Sequence, residues 1–187
     1  MILKLSRTAL LAAIGAVTAT CLTSCLNDDE PDYNEWQQLN SQYVAEKEAL
    51  TEGGIPVFTK LTPSWAPAAF TLVKWENDRN LTAKNLQPMD NSLVRVQYAL
   101  DDIYGNRISD SYSATASYGD SIYQTRPMDN IVGFWNTLTE MRVGDEVTCI
   151  IPASAGYGNV QNGAIPPYST LVYKIKLVSI PRYEVPS

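Results

Sequence analysis

Alternation with a period of two is the clearest pattern along the chain. Over 93–100, Val94, Val96, Tyr98 and Leu100 fall on one face and Arg95 and Gln97 on the other. Over 171–177, Leu171, Tyr173, Ile175 and Leu177 oppose Lys174 and Lys176. Such alternation predicts strands with one buried face. Shorter apolar runs at 70–75 and 147–151 predict two more strands. Between these segments the spacing changes to three and four: Ile131, Phe134, Trp135, Leu138 and Met141 predict a helix over 130–141, capped by Asp129 and stopped at Val143-Gly144-Asp145. Together these elements predict an α+β fold, an antiparallel twisted β-sheet wrapped around one short α-helix.

The N-terminal part reads differently. Residues 32–50 predict a helix with Asp32 as N-cap, Trp36, Leu39, Tyr43 and Leu50 on one stripe, and Gly53-Gly54 as its end. A proline-broken stretch carrying Trp65 follows, so this region is expected to be an arm that packs on the main domain or spaces it out. Ahead of the arm, Lys4 and Arg7 precede an apolar run too short to span a bilayer, which predicts a signal peptide. Its end, Leu22-Thr23-Ser24-Cys25, resembles the bacterial lipobox, in which the Cys is acylated and becomes the new N-terminus; two or three acyl chains give stable anchoring. The acidic run that follows reads as a solvated spacer, and it is similar to the export signal of surface lipoproteins of the Bacteroidota. The expected organisation is a signal peptide over 1–24, a lipidated Cys25 with spacer and helical arm over 25–65, and a main domain over 66–187.

Charge and composition narrow the chemistry. Loss of Lys4 and Arg7 with the signal leaves 12 basic against 20 acidic residues, a net charge of −8. Nucleic acid and anionic lipid are poor partners for such a chain. The sequence contains no His, which excludes Ser-His and Cys-His nucleophiles and most zinc sites. Of the three Cys, only Cys149 remains in the mature domain beyond the anchor, inside the apolar stretch Val147 to Ile151, where it reads as a small buried hydrophobe. What chemistry remains falls to carboxylates, hydroxyls and backbone, or needs no proton transfer.

Four motifs in order carry a more specific reading. Val96-Gln97-Tyr98 with Gly105 seven residues on, Ile131 through Gly144-Asp145, Ile151-Pro152 with Gly156-Tyr157-Gly158, and Ile165-Pro166-Pro167-Tyr168-Ser169-Thr170-Leu171-Val172-Tyr173 resemble the FKBP-type peptidyl-prolyl isomerases over about 66–181. The resemblance implies a shallow apolar pocket with Tyr98 and Phe134 on its wall and floor. It implies that the Ile131 backbone N–H and the Tyr157 hydroxyl hold substrate carbonyls, that Ile165 and Tyr173 complete the loop and far wall, and that Tyr123 replaces a pocket phenylalanine. Proline-containing polypeptides are the implied partners, macrolides of the kind the family binds are implied ligands, and no cofactor or metal is implied. For the family's pocket aspartate, ungapped counting from Tyr98 gives Ser109, whereas a β-bulge brings in Asp110; we expect Asp110. Phe134 stands where the family usually has Trp, and Asn130 where it has an apolar residue.

Two function classes follow. One is a peptidyl-prolyl isomerase acting on envelope or exported proteins, held at the outer membrane on its periplasmic face or at the cell surface. The other is a peptide-binding or chaperone module that keeps the proline cup with little turnover. A surface scaffold without a pocket is the third reading, supported only by the acidic leader and the arm.

Overall fold

The computed structural model describes residues 32–113 and 121–182. The expected signal peptide, Cys25 and nearly all of the acidic spacer lie outside them. Residues from Asp32 onward form one compact unit.

The chain opens with helix α1, Asn34–Ala49. Asp32 accepts a hydrogen bond from the Asn34 amide at 2.9 Å, but the N-cap position itself is Tyr33. The buried residues of α1 are Asn40 and Val44. Leu39 and Leu50, expected on the packed stripe, are exposed. Gly53 and Gly54 do not end the helix; it has already stopped at Ala49. With φ of +58° and +83°, they form the turn of a hairpin between β1, Thr51–Glu52, and β2, Ile55–Pro56.

Next come β3, Thr59–Leu61; β4, Thr71–Trp75; the single-turn α2, Arg79–Thr82; β5, Leu93–Asp101; β6, Arg107–Asp110; and β7, Tyr123–Thr125. Helix α3 spans Val132–Glu140, followed by β8, Glu146–Ile151, and β9, Leu171–Arg182. Asp129 does not cap α3; it closes a 3-10 turn, Pro127–Asp129, and Ile131 is the N-cap. The described residues form a seven-stranded antiparallel sheet in the order β3-β4-β8-β9-β5-β6, with β7 beside β6 along the same edge of β5. The sheet therefore includes residues 59–61, which lie ahead of 66.

The alternation read from the sequence sets which face is covered. Val94, Val96, Leu100, Leu171, Ile175 and Leu177 are buried together with Leu138 of α3 and Met141 at its C-cap. Helix and sheet meet closely at Gly133, where an added Cβ would lie 2.4 Å from Ile151 Cγ2 and 2.9 Å from Thr71 Cγ2. One turn on, Thr137 Oγ1 donates to the Gly133 carbonyl at 2.8 Å and lies 3.0 Å from Cys149 Sγ. The reverse face of β4 and β8 is covered as well. Leu72 and Ile150 point away from α3 and pack with Val44 of α1, along with Tyr43, Phe58 and Phe70. The sheet thus has α3 on one face and α1 on part of the other.

Candidate active site

Strand pairing brings the candidate aromatics together. Leu100 of β5 lies opposite Tyr173 of β9, and Tyr98 lies opposite Ile175, so Tyr98 and Tyr173 project from the same face of the sheet. The first turn of α3 sets Phe134 beneath them. Tyr98 is the hub: its ring centroid lies 5.5 Å from Tyr123, 6.4 Å from Phe134 and 5.9 Å from Tyr173, and Phe134 and Tyr173 are 5.1 Å apart. Most of these pairs meet edge to face, the arrangement aromatic quadrupoles favour.

These rings enclose a cavity of about 520 Å³, to which Tyr157, Ile131 and Ile165 also contribute. Tyr98, Tyr123, Ile131, Phe134, Tyr157, Ile165 and Tyr173, all singled out in the sequence, share this one cavity. Phe134 and Ile165 are buried, forming floor and wall, whereas Tyr123 stands at the rim, 39% exposed. Ile131 lies at the N-cap of α3, where first-turn amides have no helical carbonyl to bond.

Asp110 is placed elsewhere. β6 does carry the expected irregularity: Arg107 opposes Asp101 and Ser109 opposes Leu100, leaving Ile108 as the extra residue. That bulge turns Ile108 and Ser109 into the cavity and sets Asp110 opposite Ala99, on the other side of the strand. Asp110 accepts hydrogen bonds from the Ser113 amide at 2.6 Å and Arg107 Nη1 at 3.2 Å. The Ser113 bonds, with help from Arg107, hold its carboxyl below the usual range. Ser109 Oγ instead lies 3.1 Å from the Tyr98 hydroxyl, so the position beside Tyr98 carries a hydroxyl and no charge.

Asn130 has a local reason to be polar. Its Nδ2 donates to the Arg126 carbonyl at 2.6 Å and to Thr125 Oγ1 at 3.0 Å, tying the end of β7 to the turn that launches α3. Leu100, Ile108, Asp129 and the loop 162–164 also line the cavity and were not singled out as site residues from the sequence. The Asn162-Gly163 pair was the available signal for the loop, since it marks a tight turn; Asn162 and Ile165 exchange hydrogen bonds of 3.0 and 2.9 Å.

The aromatic wall of the cup carries hydroxyls, while Asp129 brings a carboxylate to the lining. Burial, reinforced by the neighbouring phenols, raises the Tyr157 and Tyr173 hydroxyls above the ordinary tyrosine value. They remain donors throughout the physiological range. Such a cup can grip an apolar ring, strip water from an adjacent carbonyl and offer it fixed hydroxyl donors; it holds no nucleophile–base pair. Among the described residues no cluster of metal-ligating side chains is present.

Comparison with known proteins agrees with this fold. A family model described as FKBP-type peptidyl-prolyl cis-trans isomerase matches residues 84–178. A peptidyl-prolyl cis-trans isomerase from Pseudomonas syringae pv. tomato superposes with a TM-score of 0.61 at 19% identity, covering 80% of this chain and 96% of that one. FkpA from Escherichia coli superposes with a TM-score of 0.59 at 23% identity, covering 78% of this chain and 61% of that one. No curated protein matches the chain.

Proposed function

Since the chain belongs to the FKBP-type peptidyl-prolyl cis-trans isomerase family, we propose that its aromatic cup takes up X–Pro segments and speeds their interconversion in envelope or exported proteins. The observation that carries this reading is the convergence of Tyr98, Phe134, Tyr157, Ile165 and Tyr173 on one cavity. Turning an X–Pro amide through its twisted state costs about 18–20 kcal/mol in lost resonance, and the unaided reaction takes on the order of tens to hundreds of seconds. No bond breaks, so the enzyme need only bind the twisted amide more tightly than either planar form. In this proposal Phe134 and Tyr173 grip the proline ring and exclude water. The Tyr157 hydroxyl and the Ile131 amide hold the flanking carbonyls.

One observation favours a second reading, a peptide-binding module with slow turnover: the position beside Tyr98 holds Ser109 and no carboxylate. Exchange NMR on a series of X–Pro peptides separates the two. Acceleration well above background that is lost in Phe134→Ala supports the isomerase. Peptide-induced shifts without acceleration establish the binding module and overturn the isomerase.

The proposal places the domain at the outer membrane through acylated Cys25. The signal-like leader and the Leu22-Thr23-Ser24-Cys25 sequence support it. Cys25→Ala is expected to move the protein from the membrane fraction to the soluble one; continued sedimentation with membranes overturns the anchor.

A further inference from the structure

We infer that α1 is a positioning element of the cup, with Trp36 and Asn40 fixing the loop that carries Ile165 and thereby the width of the proline site. The inference rests on the peptide-binding role proposed above and assigns a task to the helical arm.

Asn40 is 1% exposed, an amide at a position where an apolar residue would pack the helix to the sheet without polar cost. Every polar group it presents is used. Its Nδ2 donates to the Trp36 carbonyl at 2.8 Å, its Oδ1 accepts from the Thr170 amide at 2.6 Å, and its backbone carbonyl accepts from Thr170 Oγ1 at 3.3 Å. One turn earlier, Trp36 Nε1 donates to Ser169 Oγ at 3.1 Å, and Ser169 Oγ donates to the Pro166 carbonyl at 2.7 Å. A continuous chain of bonds thus runs from α1 to the residue next to Ile165.

The loop between these points is strained. Tyr168 has φ of +62°, a left-handed backbone that a bulky residue adopts only where its surroundings impose it. Its amide is tied to the Gly158 carbonyl at 2.7 Å, and α1 holds the two residues that follow. Behind the loop lies a cavity of about 240 Å³ between Val44, Phe70, Tyr168 and Thr170. Packing from that side is incomplete, so the hydrogen bonds from α1 set where the loop stands.

The test uses the full-length chain, four single variants and one double variant. Asn40→Ala and Trp36→Phe remove the bonds that the α1 side chains make to the loop, while Val44→Ala loosens α1 through its apolar contacts with Leu72 and Ile150. Amide hydrogen exchange is read at Ile165 and Tyr168, neither bonded directly to α1, alongside Tm and the kinetics of an X–Pro peptide. Asn40→Ala and Trp36→Phe are expected to raise exchange at both amides at least about tenfold and KM about three- to tenfold, with kcat within about twofold. Val44→Ala should lower Tm and leave exchange and KM near wild type. Trp36→Phe combined with Ser169→Ala should be no worse than Ser169→Ala alone, since losing the Ser169 hydroxyl already removes the bond from Trp36. Exchange and KM that rise in Val44→Ala as in Asn40→Ala, in step with Tm, overturn the inference and leave α1 a purely stabilising element. A wild-type chain that leaves the peptide at its background rate defeats the isomerase reading instead; the inference is then decided by exchange at Ile165 and Tyr168 alone.

Discussion

At the residue scale the cup depends on which group stands beside Tyr98, and a bulge of one residue decides it. Because Ser109 opposes Leu100 and meets the Tyr98 hydroxyl at 3.1 Å, Ser109→Ala should cost about 0.5–1.5 kcal/mol of transition-state or peptide binding. That is a two- to tenfold drop in kcat/KM. Asp110→Ala should change kcat/KM less than twofold, because its bonds to Ser113 and Arg107 lie on the far side of β6. Steady-state kinetics of the two variants check the order, and a larger effect at Asp110 would return the bulge to the reading first expected. The aromatic positions were legible because motif spacing carries through strands and a helix of regular geometry. Asp110 was misplaced because sequence reveals that a bulge occurs near a site more readily than which residue it displaces.

At the scale of elements, strands β5 and β9 were legible because one of their faces is buried throughout, which imposes alternation. β6 and β7 are exposed or half-covered for most of their length, so they carry no such pattern and are not among the strands the alternation predicts. α1 was legible as a helix but its packed face was not: the sequence offered Leu39 and Leu50, while the structure buries Asn40 and Val44. A polar peg that satisfies a distant amide is invisible to hydrophobic periodicity. The join of α3 to the sheet makes a test at this scale. Replacing Gly by Ala inside a helix ordinarily stabilises it by about 1 kcal/mol, but a Cβ at Gly133 would collide with Ile151 and Thr71. Gly133→Ala should therefore destabilise the domain by about 1–3 kcal/mol, measured by urea unfolding; a gain in stability would show that α3 can lift off the sheet at no cost.

At the scale of the whole molecule, stability should fall in alkali for an identifiable reason. Burial pushes the Cys149 thiol up to about 12, against the opposing contact with Thr137, while an unfolded thiol titrates at about 8.5. The unfolded state then loses its proton first, so the contribution is complete below about pH 8.5 and is lost as pH rises toward the folded value. Between pH 7 and 10 the native chain should lose about 2 kcal/mol more than Cys149→Ala, read from urea midpoints at each pH; parallel losses would mean that Cys149 is reached by solvent. The order of the sheet has a further consequence, for biogenesis. β9 lies between β8 and β5, so among the described residues the two halves of the sheet meet only through residues 171–182. Pairings this distant in sequence close slowly, in about milliseconds to seconds, and under the proposed export a chain threaded N-terminus first through a membrane channel keeps its central seam open until those residues emerge. On the export proposed above, the domain completes its own fold only after delivery.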